Sequence, residues 1–139
     1  MVFSPFITFL ARLLLLLLER EMRGQLMFGS IGMDNFQSEV LEQNRPVILA
    51  YIRRDYQYKE QTDVLNNISK RFGDAVKICL IEGESAAILR RLKIGGAPAF
   101  LIFYRGKETA RILGRTNAET LAAPLALIGK QNEDAHRGK

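Results

Sequence analysis

The chain has 139 residues, 47% of them apolar and 25% charged, enough for one domain with a substantial core. Its formal net charge of +5 is spread out, and no Lys/Arg cluster alternates with aromatics, which argues against nucleic-acid binding. The single cysteine, Cys79, excludes an internal disulfide framework and a thiol metal cluster, and the lone His136 lies in a polar tail.

Residues 1–33 read as an apolar N-terminal extension. Met1 to Leu18 is almost wholly apolar and closes on an unbroken leucine run from Leu13 to Leu18. As a helix this segment rises roughly 27 Å, just short of a bilayer core. Arg12 inside it costs roughly 2.5–3.5 kcal/mol in a membrane, and each leucine returns roughly 0.3–0.6. Neither the basic start nor the small-residue cleavage site of a signal peptide is clear. Three readings stay open: a membrane anchor through residues 1–18, an apolar helix docked on the domain, or sequence upstream of a true start at Met22, Met27 or Met33. A cytoplasmic location is expected, with membrane association through this segment as the alternative.

From Asp34 the pattern becomes regular. Asp34 with Gln37 reads as a capping box opening a helix whose apolar side holds Phe36, Val40 and Leu41. Asn44-Arg45-Pro46 ends it. Val47 to Ile52 is a short apolar run that fits a buried strand. The polar, aromatic Arg53 to Tyr58 follows, then a helical stripe of Leu65, Ile68 and Phe72 that stops at Gly73-Asp74. Val76 to Ile81 reads as a second strand, Glu82 to Ser85 as a loop, and Ala86 to Leu92 as a short helix. After Gly95-Gly96-Ala97-Pro98, the runs Ala99 to Tyr104 and Thr109 to Leu113 flank Arg105-Gly106-Lys107 as an antiparallel hairpin. Thr116 with Glu119 reads as a second capping box, opening a last helix through Leu121, Leu125 and Ile128. Pro124 should kink that helix or make it restart, and Gly129 to Lys139 reads as a frayed, charged tail.

Helices alternating with strands predict parallel pairing in the first part, and the closing hairpin adds antiparallel strands. In this order NF…VL…PVILAY, IGGAPAFLIFYRG and ILG resemble the thioredoxin family over about Asp34 to Ile128. The resemblance implies an α/β three-layer sandwich with a mixed central sheet of about four strands. It implies a domain at 34–130, a charged tail at 131–139, and Pro98 as the family's cis-proline.

The departures bear on function. The family's activity rests on Cys-x-x-Cys at a helix start, where the helix N-terminus lowers the first thiol's pKa. Counting forward from Pro46, those positions hold Tyr56 and Lys59; counting back from Phe72, they hold Asp55 and Tyr58. The family's buried acid would fall at Ala50, and the chain has no tryptophan. Cys79 stands mid-strand in VKICLI, where a free cysteine acts as a small buried hydrophobe.

The resemblance therefore implies a redox-inactive protein-binding adaptor or chaperone-like module with no catalytic residue, cofactor or metal. Its groove would be Gly95, Gly96, Ala97 and Pro98, rimmed by Tyr56, Tyr58, Arg53 and Arg54. The expected partner is a protein or extended peptide segment, acidic or apolar, added as a short strand. Arg53, Arg54, Asp55 and Lys59 are also placed to hold an anion near a helix N-terminus, against the plainer reading of a solvated loop. The alternatives are a thioredoxin-like disulfide oxidoreductase using Cys79 or a borrowed thiol, and a membrane-tethered accessory factor.

Overall fold

A computed structural model describes residues 5–26, 28–81 and 86–137; the expected Glu82–Ser85 loop lies outside them. The order is α1 (Pro5–Leu26), β1 (Gly29–Ile31), a π-helical turn (Gln37–Leu41), β2 (Val47–Tyr51), α2 (Tyr58–Phe72), a 3₁₀ turn (Gly73–Ala75), β3 (Lys77–Ile81), α3 (Ala86–Arg91), β4 (Ala99–Tyr104), β5 (Lys107–Leu113) and α4 (Ala118–Arg137).

The strands form one mixed sheet in the order β1-β3-β2-β4-β5. β1 and β2 pair with β3 in parallel, β4 pairs with β2 antiparallel, and β5 pairs with β4 antiparallel. β2 and β4 are buried almost throughout, as the unbroken apolar runs VILAY and AFLIFY require of strands covered on both sides.

Side chains alternate across the sheet and divide the core into two layers. Ile48, Ala50, Ile78, Leu80, Phe100 and Ile102 face Leu65 and Ile68 of α2 and Leu121, Leu125 and Ile128 of α4. Val47, Leu49, Cys79, Ile81, Leu101 and Phe103 face Phe36, Val40, Ile88, Leu92 and Ile94.

The sheet has five strands rather than about four. The additional strand is β1, which lies within the segment 1–33. Three residues, one of them glycine, carry no alternation to read. They form a strand because β3 offers a free edge, and Ile31 is buried there.

The first expected capping box, at Asp34 and Gln37, does not form: no side chain caps the π-helical turn, and Asn35 instead ties back the loop before it. Asn35 Oδ1 accepts from the Gly32 N–H at 2.8 Å and Asn35 Nδ2 donates to the Ser30 carbonyl at 2.9 Å. An amide can do both, whereas the neighbouring Asp34 carboxylate can only accept. At the start of α4 the cap is Asn117, whose Oδ1 accepts from Thr120 N–H at 2.8 Å, in place of Thr116. α4 then runs through Pro124 and on to Arg137 without restarting, so its helix extends well beyond Gly129. Burial of Leu121, Ala122, Leu125 and Ile128 holds it across the proline.

The β4–β5 hairpin turns on Arg105 and Gly106, with φ of 52° and 80°. A Cβ at Gly106 would lie 3.3 Å from the Leu41 carbonyl oxygen, so this position suits glycine on both counts.

The apolar N-terminal segment is helical, but its side chains Ile7, Phe9, Leu10 and Leu13 to Leu17 are exposed rather than docked on the sheet. Among the described residues no helix is long and apolar enough to cross a membrane. This corrects the expected localisation, with its anchor through residues 1–18. The run from Pro5 to Leu18 rises about 21 Å, against about 30 Å of hydrocarbon. It contains Arg12 and leads directly into Glu19, Arg20, Glu21 and Arg23 within the same helix.

Candidate functional site

The β2–β4 register pairs Tyr51 at the end of β2 with Ala99 at the start of β4. The loop after β2 and the loop before β4 therefore leave the same end of neighbouring strands. The first carries Arg53, Arg54, Tyr56 and Tyr58; the second carries Gly95, Gly96, Ala97 and Pro98. Pairing of distant segments by the antiparallel insertion of β4 is what brings the two halves together.

The first loop is a tight turn. Asp55 N–H donates to the Arg53 carbonyl at 2.9 Å, and Tyr58 N–H to the Asp55 carbonyl at 3.1 Å. The Asp55 carboxylate accepts from Gln57 N–H at 2.9 Å, an Asx turn. α2 begins at Tyr58, so Tyr56 precedes the helix by two residues and Lys59 lies in its first turn. Tyr56 is 87% exposed, and its hydroxyl accepts from Gln57 Nε2 at 3.2 Å. Tyr58 is half-buried against the α2/α4 layer, and the Arg54 guanidinium stands 5.3 Å from its ring centre.

The charges at this end are unevenly partnered. Glu60 is held by Arg115 through contacts of 2.6 and 2.7 Å, and Asp55 is taken up by its own turn. Arg53 and Lys59 are exposed and make no ion pair among the described residues.

In the second loop Gly95 and Gly96 are exposed, and a Cβ at either would meet no atom within 4 Å. The space before this backbone is open. Ala97 is half-buried and Pro98 is buried, so the proline ring supports the loop rather than presenting itself. The Ala97–Pro98 bond is cis, the isomer that the resemblance implies. The Pro98 carbonyl accepts from Gly114 N–H at 2.8 Å, which ties the loop to the end of β5.

Cys79 lies elsewhere, fully buried in β3 opposite Leu49. Burial pushes its thiol up to about 11 from an ordinary 9.0, against the opposing charge of Lys77. Such a thiol is protonated and shielded at neutral pH, the reverse of an attacking thiolate.

Two residues that shape the site stand outside the sequence reading. Gln61 is fully buried, and its amide pairs with the backbone of Thr116: Nε2 donates to the carbonyl at 3.3 Å and Oε1 accepts from the N–H at 3.0 Å. The signal was its position four residues before Leu65, on the buried stripe of α2. The other is Arg111, on β5.

No protein-family model matches the chain, and no curated protein matches it.

Proposed function

We propose that this chain is a thioredoxin-like protein-binding module that carries out no thiol chemistry and binds an extended, acidic peptide segment. The observation that carries the reading is the β2–β4 register, which sets the basic, tyrosine-bearing loop 53–58 beside the open glycine loop 95–98. An extended segment lying along Gly95–Ala97 exchanges backbone hydrogen bonds with the loop, as in strand addition. Arg53 and Lys59 attract its carboxylates, and Tyr56 offers a large amphipathic surface at small conformational cost. The positions of the missing cysteines, Tyr56 and Lys59, thus serve recognition. Adaptor or chaperone-like work follows from such a groove, and a disulfide exchange step lacks its thiolate there.

The test is an NMR titration of isotope-labelled protein with an acetylated, amidated peptide of alternating glutamate and valine, beside its lysine–valine counterpart. The acidic peptide should shift amides of residues 53–59 and 94–97, and the basic one should leave them in place. Equal response to both peptides, or shifts confined to other surfaces, overturns the reading.

A further inference from the structure

The glycine loop is anchored from an unexpected direction. α3 ends in a Schellman motif: Ile94 N–H donates to the Leu89 carbonyl at 2.9 Å and Lys93 N–H to the Arg90 carbonyl at 3.1 Å. The residue in the left-handed position is Lys93, with φ of 56°, where this motif ordinarily has glycine. A side-chain-bearing residue is strained there, so the turn that launches Gly95–Pro98 needs support from outside itself.

Arg111 supplies it. Its Nη2 donates to the Leu92 carbonyl at 2.6 Å and its Nη1 to the Lys93 carbonyl at 3.0 Å. The same guanidinium is oriented by Glu108, with Nε to Oε2 at 3.0 Å and Nη2 to Oε1 at 2.6 Å. Residues three apart on a regular strand point to opposite faces. Here β4–β5 pairing slips between Ile102 and Phe103, so that Phe103 faces Glu108, Ile102 faces Ala110, and Thr109 is the extra residue. The bulge turns Glu108 and Arg111 to one face, and Thr109 Oγ1 fills the gap by donating to the Ile102 carbonyl at 3.1 Å. The bulge, the carboxylate and the guanidinium together form a clamp on the end of α3.

We propose that Arg111, oriented by Glu108 across the β5 bulge, is a positioning residue that holds the Lys93–Pro98 loop in its partner-binding shape. The proposal rests on the reading of that loop as the binding site. The planar fork is essential, because a lysine keeps the charge but cannot bridge two carbonyls and a carboxylate.

The decisive variant is R111K, read in two ways. In the free protein, exchange of the Leu92, Lys93 and Ile94 amides should quicken about 10- to 100-fold, the range expected when hydrogen bonds to a charged group are lost. Core amides of β2 and β3 should keep their rates. With the glutamate–valine peptide, affinity should fall about tenfold although net charge is unchanged, and E108Q should move both readouts in the same direction. Unchanged exchange at the three amides overturns the clamp. Loosened amides with wild-type affinity overturn the positioning role. If the wild-type chain does not bind the peptide, the binding reading fails and the positioning role with it, while the exchange arm still reports on the clamp alone. Should R111K not fold, E108Q carries the same two measurements.

Discussion

Replacing Gln61 with methionine isolates a contact that links α2 to the loop before α4. The two side chains are similar in length and volume, so the substitution removes the amide while leaving the space filled. Two hydrogen bonds to Thr116 disappear, at 3.0 and 3.3 Å. Each contributes about 1 kcal/mol net. Thr116 is half-buried, so water reaches its freed groups in part and the full penalty for an orphaned buried pair is not incurred. The expected loss is about 2 kcal/mol. Urea unfolding reads it directly: with a slope of about 1–3 kcal/mol per molar, the midpoint should fall by roughly 0.7–2 M. Substituting glutamine for Glu119 breaks its exposed pair with Arg71. That control should move the midpoint far less, because solvent screens such pairs. A Q61M shift below about 0.3 M at unchanged slope would refute the view that this amide holds the two elements together.

Three further outcomes are expected. Lys93→Gly should stabilise the fold by roughly 0.5–1 kcal/mol in the same assay, because relief at φ of 56° exceeds the added freedom of the unfolded chain; a loss of stability would contradict the strain assigned there. Gly96→Ala should leave stability unchanged or slightly raised, since its Cβ meets nothing, yet weaken the acidic peptide by projecting into the open space before the loop; unaltered peptide affinity would move the groove elsewhere. Cys79 should resist thiol reagents at pH 8 until the protein unfolds. Its folded pKa of about 11 lies above the ordinary 9.0, so the native state holds the proton longer, and the associated stability is complete below pH 9 and lost as pH rises through 11. The wild-type chain should therefore lose stability above pH 9 relative to Cys79→Ala, and parallel pH profiles would show the thiol to be solvated.

β2, β3 and β4 were legible because burial leaves each a run of apolar residues, and β5 because the Arg105–Gly106 turn announces a hairpin partner for β4. β1 was not, because Gly29–Ile31 is a strand only by virtue of the β3 edge beside it. The same distinction governs the site. The basic and aromatic character of residues 53–59 and the small residues at 95–98 are local facts of composition. Their proximity depends on β4 entering beside β2. Gln61 and Arg111 escaped because long polar side chains ordinarily mark solvent-facing positions. Each instead spans from one element to the backbone of another, Arg111 through a bulge that changes which neighbours share a face.

The two borders of the sheet have a consequence for self-association. Open strand edges are templates on which other chains can assemble, and short or distorted edges resist this. One border here is three residues long, and the other carries a bulge with Lys107, Glu108 and Thr109 exposed around it. Neither offers a long flat ladder to a second copy. Under the proposed function, a partner strand would instead meet main chain at the glycine loop, a short stretch with open space before Gly95 and Gly96. The proposed recognition through the glycine loop would leave both borders unused, so it need not conflict with protection of the sheet from polymerisation.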